Sequence, residues 1–236
     1  MGMDKKTSYA EVFSKDKYRV IVLDMDGTLY YQRGMQILMC IEMGAFAIMH
    51  PFSVWKLNAV SVFRRIRELD LFSKEENFGK DSGCIEKDLL LEQQYKMTAD
   101  KINKPPETVK QVIEEWMFKR PLKYLQYTCD RRLCDWIEMW KQRGKKVVVY
   151  SDYPAGEKCD ILGIHADAIY SSEQEEIGQM KPSVRGLELI SREFAASPDE
   201  ILVVGDRMSK DGRMAEYFGC EYLILKKWKL WRNKKY

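Results

Sequence analysis

Two carboxylates one residue apart, Asp24 and Asp26, stand in the middle of the stretch VIVLDMDGTL at residues 20–29. Side chains two positions apart on an extended chain point the same way, so both acids face one crevice. Three later segments bring complementary groups: Ser151 and Asp152 after VVVY, Lys181 in QMKPS, and Asp206 and Asp211 in GDRMSKDG. Phosphoryl transfer needs a nucleophile, a proton donor and positive charge on the equatorial oxygens, and these four segments hold a candidate for each. Taken singly, each has a plainer explanation. A bare DxD is commonly a solvated turn, and Ser-Asp after a strand or Asp-Gly before a helix is commonly a cap. A lysine before a proline is usually just exposed. The chemical reading rests on all four occurring in order.

These groups need a scaffold that delivers them to one edge. Val20–Leu23 is an uninterrupted apolar run, as expected of a strand covered on both faces in a parallel sheet. Ligands of open α/β sheets bind beyond the carboxyl ends of such strands, which is where Asp24 and Asp26 fall. Further strands are expected at residues 147–150, 168–170, 201–204 and 221–225. Helices are expected at 130–143, after Pro154, at 183–194 and at 214–218. This alternation implies a doubly wound parallel α/β sheet with right-handed crossovers.

Between the first strand and that alternation, residues 30–127 carry no strand pattern. Residues 36–49 read as a buried apolar helix, too short to span a membrane. Phe52, Trp55, Ala59, Val62, Phe63, Ile66 and Leu69 recur at helical spacing. Residues 73–83 are a polar loop, residues 86–97 are helical in period, and Pro105-Pro106 opens a further helix that ends before Pro121. An insert of this length exceeds an ordinary loop. The expected organisation is an α/β core of residues 1–29 and 128–236, with residues 1–17 a polar lead-in, and an all-helical cap domain of residues 30–127.

At 236 residues, 45% hydrophobic and 32% charged, the chain has a globular composition and room for one core plus a smaller inserted domain. A net charge of +3 gives no ground for expecting a nucleic-acid partner. The charge is uneven: six lysines and arginines with no acid between residues 226 and 236 leave −3 for the remainder. That tail, KKWKLWRNKKY, interleaves aromatics with cations, as an interfacial or nucleic-acid-binding segment does, so a membrane surface or an acidic partner is a minor alternative to the commoner solvated basic terminus. The six cysteines show neither CxxC spacing nor a nearby histidine, which disfavours a zinc site. With no signal-peptide pattern ahead of them, the expectation is reduced thiols in a cytoplasmic protein.

The DxDGT segment and the three that follow it resemble the four motifs of the haloacid dehalogenase (HAD) superfamily, whose members are mostly magnesium-dependent phosphatases. The resemblance covers residues 18–29 and 145–225, and the helical insert falls where that family keeps a variable cap of the C1 arrangement. It implies that Asp24 is a nucleophile forming an aspartyl-phosphate. It implies that Asp26 is the general acid and base, the residue that also separates the chain from dehalogenases, which lack the second aspartate. Phosphate would be held by the Ser151 hydroxyl, the backbone that follows it at Asp152, and Lys181, with Thr28 a hydrogen-bond donor nearby. Mg2+ would take oxygens from Asp24, Asp206 and the backbone carbonyl of Asp26. Asp211 would support those ligands or simply cap the next helix.

The implied activity is hydrolysis of a small-molecule phosphate ester. A phosphomutase would use the same nucleophile and acid but return the phosphoryl group to a sugar. A binding or regulatory module would keep the fold without turnover, and the intact acids weigh against it. In the insert, Arg33, His50, Arg64, Arg65 and Arg67 are the polar groups available to a leaving group. For Arg64, Arg65 and Arg67 the preferred reading is a solvated surface.

Overall fold

The computed structural model of the chain describes residues 16–68 and 90–227. Five strands, β1 (Val20–Leu23), β2 (Lys146–Ser151), β3 (Ala168–Ser171), β4 (Ile201–Gly205) and β5 (Glu221–Ile224), form one sheet in the order β3-β2-β1-β4-β5. Every pairing is parallel. β1 lies at the centre with Val20 in register with Lys146 on one side and Ile201 on the other. The chain therefore winds outward from β1 in both directions, and the switch point lies at the carboxyl ends of β1, β2 and β4.

Within the insert, all regular structure among the described residues is helical. It comprises α1 (Gln32–Met49), a 3₁₀ turn (Pro51–Ser53), α2 (Trp55–Arg67), α3 (Leu90–Ile102), α4 (Pro106–Ile113), a π-turn (Glu114–Lys119), a 3₁₀ turn (Arg120–Tyr124) and α5 (Leu125–Thr128). Two linkers join it to the sheet and pair with each other. Tyr30 bridges Cys129, Tyr31 N–H donates to the Thr128 carbonyl at 2.7 Å, and Asp130 N–H donates to the Leu29 carbonyl at 3.0 Å. α1 and the segment from Pro51 to Arg67 meet at 119°, where Pro51 removes a backbone donor. No single helix among the described residues is long and apolar enough to cross a membrane.

The expectation that residues 36–49 form a buried helix is corrected. α1 starts earlier, at Gln32, and buries only Gly34, Met35 and Met39, with Met43 and Phe46 half-buried behind them. The opposite side is open: Ile41 is 66% and Ile48 83% exposed, and Phe52 beyond the helix is 97% exposed. An all-round apolar sequence reads as buried, but only the stripe at positions 35, 39, 43 and 46 packs into the apolar core. α2 buries Ala59, Phe63 and Ile66 of the expected face, together with Val60, while Trp55 and Val62 are half-buried. The expectations for residues 1–15, Leu69, the 73–83 loop, residues 86–89 and the tail from Trp228 lie outside the described residues.

Helices α6 (Arg131–Gln142) and α7 (Gly156–Leu162) cover one face of the sheet, and α8 (Arg185–Glu193) and α9 (Arg213–Phe218) the other. Alternate strand residues serve the two layers. Ile21, Leu23, Val147, Val149, Leu202 and Val204 join Leu133, Ile137 and Trp140 of α6, while Val20, Val22, Val148, Tyr150, Ile201 and Val203 join Leu187, Ile190 and Met214. Such two-sided burial explains why these strands are continuous apolar runs. Ile21→Ala would cost about 2–5 kcal/mol, enough to loosen the platform under Asp24.

Candidate active site

The register of the three central strands fixes the site. Leu23 lies level with Val149 and Val204, so Asp24, Ser151 and Asp206 emerge at one edge of the sheet. Asp24 N–H donates to the Val204 carbonyl at 2.9 Å, which holds the first acid close against β4. Gly27 then has φ +92°, and a Cβ there would sit 2.2 Å from Asp206 Oδ2. Glycine is needed both for the left-handed turn and for the approach of the fourth segment.

Asp24 is buried and held from two sides. Lys181 Nζ donates to its Oδ1 at 2.7 Å, and the Thr28 hydroxyl donates to its Oδ2 at 3.1 Å. Lys181, itself 2% exposed, also donates to Asp211 Oδ1 at 2.8 Å. Asp211 Oδ2 accepts from Arg207 N–H at 3.2 Å. Asp211 lies inside a π-turn (Met208–Gly212) and not at a helix cap, so the capping alternative is set aside.

Carboxylate oxygens of Asp24, Asp206 and Asp211 lie within 4.8 Å of one another. Burial pushes the Asp24 carboxyl up to about 7, with Asp211 and Asp206 adding to the rise and Lys181 opposing it. Burial also lifts Asp206 to about 6, with Arg207 opposing and Asp211 adding. Asp206 Oδ1 is buried and makes no hydrogen bond. Crowded oxygen donors, two of them raised and one atom orphaned, fit a hard divalent cation such as Mg2+. The carboxylate of Asp26 stands outside this cluster, so only its backbone carbonyl remains for the contact that the motif implies.

Asp26 has its own partners. Its Oδ1 accepts from Lys158 Nζ at 2.6 Å and from the Tyr30 hydroxyl, while its Oδ2 is buried without a partner. Burial would raise this carboxyl, but Lys158, with Tyr30 and Arg207 adding, outweighs it and the net shift is downward. Ser151 is buried, its Oγ accepting from Tyr153 N–H at 3.1 Å. The Asp152 carboxylate is taken by the Ser172 hydroxyl, Lys181 N–H and Lys210 Nζ, each at 2.9 Å. Burial opposes its ionisation, yet Lys210 and Lys181 hold it at about 2. The Asp152 side chain therefore braces Lys181, leaving its backbone as the group available to phosphate.

Three groups at this edge escaped the sequence reading. Lys158, on α7, carries no local signal in GEKCD that would mark it as the partner of Asp26. Tyr30 was visible only as the residue after DGTL. Arg67, expected at a solvated surface, is 2% exposed. Its guanidinium donates to Gln94 Oε1 at 2.6 Å and to the Asp152 backbone carbonyl, and stacks 4.0 Å above the Tyr153 ring. It follows Phe63 by one helical turn, so it shares the inward face of α2. Arg64 and Arg65 are exposed, as expected.

A family model described as haloacid dehalogenase-like hydrolase matches residues 18–219. The chain belongs to that family. Solved HAD structures share its fold across nearly the whole length. The 2-haloacid dehalogenase from Pseudomonas syringae pv. Tomato DC3000 is 13% identical with a TM-score of 0.58, covering 93% of this chain and 91% of that one. The HAD hydrolase YfnB from Bacillus subtilis, bound to magnesium, is 12% identical with a TM-score of 0.54, covering 87% and 85%. CbbY from Rhodobacter sphaeroides, in complex with phosphate, is 15% identical with a TM-score of 0.53, covering 92% and 90%. No curated protein matches the chain significantly. At such identities the likeness fixes the fold of this HAD hydrolase, and the choice among HAD chemistries falls to its own residues.

Proposed function

We propose that this HAD hydrolase is a Mg2+-dependent phosphomonoesterase of small phosphorylated metabolites, with residues 30–127 as a cap over the site. The observation that carries the reading is Asp26. Lys158 and Tyr30 anchor one of its oxygens, and the other is buried and uncommitted two residues from Asp24. A dehalogenation site has no use for such a group, whereas an ester leaving group needs a proton.

Asp24 is the nucleophile. Thr28 and Lys181 fix the direction of its carboxylate, and attack on phosphorus forms an aspartyl-phosphate while the ester oxygen leaves. Asp26 Oδ2 must carry a proton to serve that oxygen; it passes the proton on as the ester bond breaks and, left as the carboxylate that Lys158 favours, takes one from the water that hydrolyses the intermediate. The Ser151 hydroxyl, the backbone after it and Lys181 hold the equatorial oxygens. Asp24, Asp206 and the Asp26 carbonyl, with Asp211 alongside, would hold Mg2+, which would supply charge neutralisation for phosphate approaching a site already rich in carboxylates. Arg67 ties α2 to the Asp152 backbone, which keeps the insert seated beside Ser151 and excludes water.

The test is phosphate release from a broad panel of phosphate esters, with and without Mg2+. Turnover that needs Mg2+ and yields inorganic phosphate supports the reading. Transfer to a sugar without phosphate release would make the protein a mutase. No Mg2+-dependent turnover on any ester would leave a binding or regulatory module.

A further inference from the structure

The five described cysteines fall into three kinds. Cys40 is exposed and stands alone, whereas Cys159 and Cys220 are buried, with burial pushing both thiols up to about 12. Cys129 and Cys134 form the third kind, with sulfurs 3.5 Å apart. Their contact is set by the backbone. Cys129 occupies the linker returning from the helical insert, opposite Tyr30, and Cys134 lies in the first turn of α6, where its N–H donates to the Asp130 carbonyl at 3.1 Å. Asp130 between them caps α6, its carboxylate accepting from Leu133 N–H and pairing with Lys227 at 2.5 Å. Lys227 also donates to the Thr28 carbonyl in the outgoing segment.

We propose that Cys129 and Cys134 are a modification site at which a hydroperoxide forms an intramolecular disulfide, fastening the returning linker to α6. The Cys129 thiol is pulled down by the hydrogen bond from Cys134, against burial, with Arg131 and Lys227 adding to the fall. Its thiolate attacks one peroxide oxygen; the O–O bond breaks, hydroxide (an alkoxide from an organic hydroperoxide) leaves and takes up the proton the thiol gave up, as water or an alcohol, and Cys129 becomes a sulfenic acid. Cys134 then attacks the Cys129 sulfur, the S–O bond breaks, and the departing hydroxide takes the Cys134 proton as water. Two thiols are oxidised, both peroxide oxygens are reduced, and the sulfurs close from contact to a bond of about 2.05 Å. Cys129 faces Tyr30 across the linker pair, so the new bond would fasten both linkers to the core. None of this depends on the ester chemistry proposed above.

Trypsin cuts after Lys123, Arg131, Arg132 and Lys141, so the two cysteines fall on separate peptides, 124–131 and 133–141. Full-length native protein treated with a few equivalents of hydrogen peroxide should yield these peptides linked, two hydrogens lighter, before Cys40 oxidises. Dithiothreitol should release them. In Cys134→Ser, dimedone should label Cys129. Exchange of the Tyr31 and Asp130 amides should slow by roughly tenfold in the oxidised wild type. Both thiols still free to alkylation once Cys40 has oxidised would overturn the proposal. So would equally fast linkage in urea-unfolded protein, because the pairing would then come from chain proximity and not from the fold.

Discussion

Asp24 and Asp26 are two residues apart on the same strand end, yet their surroundings push them in opposite directions. Asp24 shares its space with Asp206 and Asp211, and burial lifts its carboxyl to about 7 although Lys181 touches it. Asp26 is equally buried but is paired with Lys158 and Tyr30, and its carboxyl falls. The second side is completed by a cation of the protein. The first has more negative charge than one lysine offsets, and so has room for a divalent cation. One backbone turn thus separates a carboxyl crowded by like charge from one paired with a cation of the protein.

The largest effect expected from breaking this arrangement is at Asp24. Asp24→Asn should lower turnover by roughly 10⁴-fold or more, as loss of a covalent nucleophile does, while the protein stays folded. At pH 8 without Mg2+ it should also melt higher than wild type, because one crowded carboxylate is gone. Steady-state phosphate release and a thermal melt check both, and more than trace turnover would remove Asp24 as nucleophile.

Asp26 should come next. General acid–base assistance is worth roughly 10²–10⁴-fold, and with an alkyl ester Asp26→Ala should lose it in the first step. An aryl phosphate leaves as a weakly basic phenoxide, so its first step should survive while hydrolysis of the aspartyl-phosphate stays slow. Rapid-quench kinetics should show a phenol burst near one equivalent of enzyme. Equal losses on alkyl and aryl esters without a burst would mean that Asp26 holds the loop and moves no proton.

Lys158 sharpens the comparison, because it touches the acid–base side alone. Lys158→Met should cost about 10–100-fold in turnover, the scale typical of a supporting partner, and leave Mg2+ affinity near wild type. Without the ammonium, the Asp26 carboxyl rises, and because Asp26 must be protonated to donate in the first step, the basic limb of kcat/KM should move to higher pH. An unchanged limb, or lost Mg2+ binding, would show that the two sides are not separate.

Much of this was legible in the sequence, for a physical reason. Strands buried on both faces must be apolar runs, so residues 20–23, 147–150 and 201–204 announced themselves, and the polar residues ending each run had to lie together at the sheet edge. Lys158 was not legible because it reaches Asp26 across 132 positions, and only the packing of α7 brings it there. The outward face of α1 misled for the opposite reason: apolar composition says what a helix would bury, not which of its sides meets a neighbour.

The smallest expected effect is on stability, and it tells the two sides apart without any turnover. A carboxyl whose native pKa is raised keeps extra protons in the folded state, so stability falls as pH rises from the unfolded to the native value. Asp24 and Asp206 rise from 3.8 to about 7 and about 6. Half-buried Glu173, one of whose oxygens is buried without a hydrogen bond, rises from 4.5 to about 7, desolvation raising it and Arg67 and Lys158 opposing. In EDTA, Tm should therefore drop between pH 5 and pH 8. Asp26 and Asp152 are lowered, so their contributions fade only below about pH 4 and leave this window undisturbed. Mg2+ at a hundredfold excess over Kd adds about 2.7 kcal/mol and should restore several degrees at pH 8, where the acids are ionised, and less at pH 5. Some slope should persist with Mg2+ because Glu173 is no part of the cation cluster, and Glu173→Gln should remove it. A melt that is flat with pH in EDTA, or indifferent to Mg2+ at pH 8, would mean that the crowding of Asp24, Asp206 and Asp211 is already relieved by Lys181 and Arg207, and the contrast with Asp26 would collapse.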